Sequence, residues 1–64
     1  MRITGKALKK IRADLRESQT TFAERFGVDQ ATVSRWETED PPDRGMAAKM
    51  IARVLSDLSV EARA

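Results

Sequence analysis

Residues 19–38 read Gln19-Thr20-Thr21-Phe22-Ala23-Glu24-Arg25-Phe26-Gly27-Val28-Asp29-Gln30-Ala31-Thr32-Val33-Ser34-Arg35-Trp36-Glu37-Thr38, and this stretch decides the fold. Phe22, Ala23 and Phe26 recur at helical spacing, Gly27 closes the run, and Val33 and Trp36 form a second run a few residues later. Ser18 and Asp29 stand where N-caps belong, each just ahead of its run. Two short helices joined by about three residues, with glycine opening the connection, make a helix-turn-helix. Each constrained position has a steric reason. Ala23 is small where the two helices must cross. Gly27 supplies a left-handed backbone, which a residue with a Cβ adopts only at a cost of roughly 1–2 kcal/mol. Phe26 ends the first helix in the core, Val28 tucks under the turn, and Val33 and Trp36 anchor the second helix. Trp36 is read as core rather than as a surface on which a ligand stacks.

Outward from this motif the same period continues. Leu8, Ile11 and Leu15 form one stripe of an earlier helix, with Thr4 as N-cap just before Gly5. On the other side, Glu39-Asp40-Pro41-Pro42 must end the motif's second helix, because the second proline forbids helix at the residue before it. A last helix is expected from near Asp43 to about Leu58, with Ala47, Met50, Ile51, Val54, Leu55 and Leu58 on its apolar face. The expectation is an all-α fold, a compact bundle of four to five short helices in one domain over residues 1–64, with the helix-turn-helix at 19–38.

Composition narrows the function. A chain of 64 residues has room for one small domain, not for a multi-domain enzyme. It contains no Cys and no His, so disulfides, the usual zinc ligands, thiol nucleophiles and the commonest general base are all missing. Ser18, Ser34, Ser56 and Ser59 have no lysine or carboxylate at a spacing that suggests activation. Neither catalysis, a cofactor, a metal nor a small-molecule effector is indicated. No apolar run approaches the roughly 18 residues needed to span a bilayer. The start, Met1-Arg2-Ile3-Thr4-Gly5-Lys6, does not resemble a signal peptide, and a cytoplasmic protein is expected. Residues 1–36 hold eight basic and four acidic side chains, whereas residues 37–64 hold four and six. The basic half is compatible with a polyanion partner.

At about 100° per residue, Gln30, Ala31, Ser34, Arg35 and Thr38 share one face of the motif's second helix, opposite Thr32, Val33 and Trp36. Apolar anchors behind, with Gln, Ser and Arg in front, suit a helix that enters a major groove. Gln pairs bidentately with adenine and Arg with guanine, each worth roughly 1–3 kcal/mol of discrimination, and Ala31 offers a methyl contact. Gln30, Ala31, Ser34 and Arg35 are therefore the candidate base readers, Gln30 and Arg35 the principal ones. Gln19 opens the first helix of the motif, where unpaired N–H groups and the helix dipole favour an anion. Lys6, Lys9 and Lys10 lie off the apolar stripe, and contact with DNA and simple solvation are both open for them.

Taken together, Leu8-Lys9-Lys10-Ile11-Arg12, Ser18 to Val28, and Ala31-Thr32-Val33-Ser34-Arg35-Trp36-Glu37 resemble the phage-repressor-like (Cro/CI-type, xenobiotic-response-element) helix-turn-helix regulators. The likeness covers roughly residues 4–58. It implies a lambda-repressor-like bundle that binds double-stranded operator DNA, usually as a two-fold dimer, on phage or other mobile elements among others. It implies that Gln19 clamps a phosphate, with Thr20, Thr32, Thr38 and Arg44 as further phosphate candidates. It also implies an internal Arg12–Glu37 bridge that fixes how the reading helix is presented. Two departures stand out. Where relatives carry glycine and then an apolar residue after the first helix, this chain has Arg16 and Glu17, so a strained or extended exit is expected. The loop Thr38 to Gly45 carries three acids and only Arg44 as a base, so it is expected to tilt away from DNA.

One helix reads only four or five base pairs, too few to single out a genomic site. A homodimer reading half-sites about one turn (roughly 34 Å) apart removes the difficulty. Leu55, Leu58 and Val60 are candidates for the subunit contact, completion of the core being the other role open to them. The expected function is a dimeric repressor of its own promoter. The alternative is an antitoxin-type regulator that also binds a protein partner.

Overall fold

Thr4, Ser18 and Asp29 each start a helix by the same chemistry: an extended backbone and a side-chain oxygen that accepts a free N–H of the first turn. In the computed structural model, which describes residues 3–63 and the side chains of residues 3–58, they open α1 (Gly5–Asp14), α2 (Gln19–Phe26) and α3 (Gln30–Glu39), and α4 (Gly45–Arg63) follows. There is no strand among the described residues. The all-α architecture and the helix pair at 19–38 agree with the sequence reading.

The two connections around α2 are built alike. After α1 the Arg16 and Glu17 amides donate to the carbonyls of Ala13 (3.0 Å) and Arg12 (3.2 Å), and Arg16 adopts φ 58°. After α2 the Gly27 and Val28 amides donate to Glu24 and Ala23 (both 3.2 Å), and Gly27 has φ 69°. Both are left-handed helix stops in which the last carbonyls are satisfied. Only the second uses glycine. The strained exit expected after α1 is therefore present, at a side chain that has a Cβ.

The last helix differs from expectation at both ends. It begins at Gly45 rather than near Asp43, because Gly45 has φ 78° and a left-handed residue cannot lie inside a right-handed helix. It continues past Leu58 to Arg63, and the sequence from Met46 onward contains no Gly or Pro to stop it.

The core forms where these helices cross. Leu8 of α1, Phe22, Ala23 and Phe26 of α2, Val33 and Trp36 of α3, and Ile51 and Leu58 of α4 are buried. The Phe26 ring is edge-on to Phe22 at 4.9 Å and to Trp36 at 5.6 Å, which locks α2 against α3. Leu58 thus belongs to the core, with Leu55 half-buried against it. Of the two roles open to this pair, core completion accounts for Leu58. Val60 lies outside the residues whose side chains are described.

Candidate nucleic-acid interface

The presentation of α3 starts at its cap. Asp29 Oδ1 accepts the Thr32 amide (2.9 Å) and the Thr32 hydroxyl (2.6 Å). These bonds, with help from the Arg35 charge, hold the Asp29 carboxyl below its ordinary pKa. Behind the helix Val33 and Trp36 are buried. In front, Gln30, Ala31, Arg35 and Thr38 are exposed and Ser34 is half-buried. The face drawn from helical spacing is therefore the face turned to solvent. Arg35 forms no hydrogen bond or ion pair among the described residues, so its guanidinium is available to a partner.

Gln30 is held differently. Its Nε2 donates to Gln19 Oε1, and Gln19 Nε2 donates to Glu37 Oε1 at 3.0 Å. Glu37 in turn receives Arg12 through Nε to Oε2 (2.6 Å) and Nη2 to Oε1 (3.1 Å), while Arg12 Nη1 reaches the Glu17 carbonyl oxygen at 2.9 Å. The Arg12 and Glu37 side chains are only 18% and 5% exposed. The expected Arg–Glu bridge is present, and it joins a chain of side chains that ends on the reading helix. That continuation was not visible in the sequence, where Gln19 and Gln30 are separate polar residues.

A proton count sorts the phosphate candidates. Phosphate oxygens accept only, so a contacting group must donate. The Thr32 hydroxyl already donates to Asp29, and the Thr38 hydroxyl donates to the Ser34 carbonyl at 3.0 Å. Thr20 and Arg44 are exposed. Gln19, half-buried, gives one of its two N–H groups to Glu37 and keeps the other. The acidic loop after α3 is anchored inward by Asp40, whose Oδ1 accepts the Gly5 amide at 2.7 Å. Lys6, Lys9 and Lys10 are exposed, and Lys10 pairs with Asp14 at 3.4 Å on the surface.

Glu17, one of the two departures noted in the sequence, has a partner. Arg25 donates to it through Nε (2.9 and 3.0 Å) and Nη2 (2.6 Å), so a bidentate ion pair between the α1–α2 turn and the end of α2 takes the place of an apolar plug. The Arg25 bond holds the Glu17 carboxyl below its ordinary 4.5 against the opposing effect of burial. At Glu37 burial is the largest influence and pushes upward. The Arg12 and Gln19 hydrogen bonds and the charges of Arg12 and Lys9 together outweigh it, and the pKa again lies below 4.5.

A carboxyl whose pKa falls on folding contributes stability above its unfolded value and loses it as pH drops through the folded value. Melting temperatures followed by circular dichroism from about pH 7 to about pH 3 are thus expected to hold level and then fall once pH drops below about 4.5. A flat profile to the acid end would contradict the two ion pairs.

A short helix pair with a left-handed glycine at its turn and an exposed polar face on its second helix defines a helix-turn-helix DNA-binding domain of the kind found in transcriptional regulators, a class typically non-enzymatic. The family model described as RsaL-like HTH domain matches residues 9–44, more than half of the chain, and the chain belongs to that family. No curated protein and no solved structure shows significant similarity to it. Among the described residues, no helix is long and apolar enough to cross a membrane, and no group of acidic side chains is placed to hold a metal ion.

Proposed function

We propose that the protein is a sequence-specific repressor, of the Cro/CI-like kind its residues resemble, that binds a palindromic operator as a homodimer and shuts off its own promoter. Each subunit lays α3 in the major groove. Arg35 reads guanine, Gln30 reads adenine, Ala31 and Ser34 make the smaller contacts between them, and the remaining N–H of Gln19 meets a phosphate oxygen. Thr20 and Arg44 extend the contact along the sugar–phosphate backbone, with Thr32 and Thr38 beside it once their hydroxyls turn outward. The observation that carries this reading is Arg35, exposed on the side of α3 opposite Val33 and Trp36 and forming no hydrogen bond or ion pair among the described residues. Autorepression rests on the commonest use of small domains of this type. The dimer rests on the shortness of the sequence that one helix can read.

Selection of bound fragments from random duplex DNA tests the proposal. A two-fold symmetric site with half-sites one helical turn apart is expected, and the site should occur upstream of the protein's own coding sequence. Recovery of unrelated fragments with no common site would overturn it. Arg35→Ala should weaken binding to the recovered site by about 1–3 kcal/mol and relax preference at one base pair per half-site. Unchanged affinity and preference in that variant would mean that another face reads the DNA.

A further inference from the structure

A row of cations runs along one flank of α1. At about 100° per residue, Lys9 lies about 40° from Gly5 and about 60° from Arg12. Gly5 packs against the backbone at the C-terminal end of α3, and Arg12 reaches the Glu37 carboxylate there. Lys9 stands between the two on the flank turned toward α3, and its charge acts on the Glu37 carboxylate that Gln19 also reaches. Lys6 and Lys10 lie about 60° and about 100° further round, and Lys10 is paired with Asp14. Leu15 keeps a right-handed backbone at φ −80° and ψ −9°, so Arg16 leaves α1 two turns after Lys9 on the same row.

Within this row only Arg12 is balanced, by Glu37. Lys9 and Arg16 are exposed and form no hydrogen bond or ion pair among the described residues. Arg16 is also kept against a backbone cost. The stops before and after α2 share one left-handed geometry, with φ 58° at Arg16 and φ 69° at Gly27, and only glycine adopts it freely. The end of α3 offers nothing comparable: its last turn holds no basic residue, and the loop Thr38 to Gly45 sets three acids against Arg44. The cations nearest Gln19 on this side therefore come from α1. We propose that Lys9 and Arg16 form a second backbone-binding strip, each donating to a DNA phosphate near the one that Gln19 meets. At about 1.5 Å per residue they are set about 10 Å apart along the helix, and so meet separate phosphates. This rests on α3 entering the major groove as proposed above.

Salt dependence separates the strip from a structural role in which the two cations only offset the acids at the end of α3. Affinity is measured between about 50 and 200 mM salt on the selected duplex and on one of mixed sequence. Lys9→Gln and Arg16→Gln should each make log affinity against log salt shallower by about 0.9, and together by about 1.8, on both duplexes. Base preference should stay as it is. Lys10→Gln should leave the slope unchanged. Arg16→Gly should raise the melting temperature by about 4–8 °C, because the left-handed backbone is relieved. The same variant should nonetheless bind DNA more weakly and with the shallower slope, a combination that a structural role does not give. Circular dichroism confirms that the variants are folded. An unaltered slope in folded Lys9→Gln or Arg16→Gln, or an equal change in Lys10→Gln, overturns the strip. If Arg35→Ala still relaxes base preference in that case, the α3 reading stands. A wild type that binds neither duplex overturns the α3 reading and the strip together.

Discussion

Arg12→Ala is expected to destabilise the protein by about 3–5 kcal/mol, because it strands the Glu37 carboxylate in a site that is 5% exposed. The bulk of that cost is the unpaired charge, not the lost attraction. It is joined by the Glu17 carbonyl, which loses the Arg12 Nη1–H. A chain of this size has a total stability on the order of 3–10 kcal/mol, and each kcal/mol moves the melting temperature of a small domain by about 4–8 °C. The variant should therefore melt tens of degrees lower or be largely unfolded at room temperature, with DNA binding lost as a consequence. Adding Glu37→Gln to Arg12→Ala removes the stranded charge and should recover a large part of the loss. A shift of a few degrees in Arg12→Ala would assign the pair to the weak class of surface ion pairs.

Gly5→Ala is expected to destabilise as well, against the direction that helix propensity gives. In an open helix the change gains up to about 1 kcal/mol. Here a Cβ on Gly5 would lie 2.6 Å from the carbonyl oxygen of Glu37, and closer still to that of Trp36. Both are backbone atoms, so the relief must come from moving α1 away from α3. That movement also disturbs the Asp40–Gly5 bond that anchors the loop after α3. A loss of about 1–3 kcal/mol in urea unfolding is expected from such overpacking. A stabilised variant would show that α1 and α3 are not in contact at this point.

These two sites mark where sequence reasoning succeeds and where it stops. Periodicity placed Leu8, Phe22, Val33 and Trp36 inside, and three short polar side chains, Thr4, Ser18 and Asp29, marked the helix starts, because both signals are local. Arg12 and Glu37 were legible as a pair only through resemblance, since 25 residues separate them. The tight approach at Gly5 carries no signature in the sequence; a glycine one residue after an N-cap reads as a weak helix start. The Glu17–Arg25 pair could have been found. Glu17 stands where relatives carry an apolar residue, and a charge there needs a partner, of which Arg25 is the basic side chain one helix away. The start of α4 falls two residues after the expected Asp43, because Gly45, left-handed at φ 78°, decides where the helix can begin.

At the centre of the account is the outward face of α3. Titration of isotope-labelled protein with its selected duplex, followed by nuclear magnetic resonance, tests it most directly. The largest shifts are expected at Gln19 and Thr20, at Gln30, Ala31, Ser34 and Arg35, and in the Arg35 guanidinium signal, with the exposed side of α4 around Lys49 and Arg53 little affected. Shifts concentrated on that side of α4, with Gln30 and Arg35 unmoved, would contradict it.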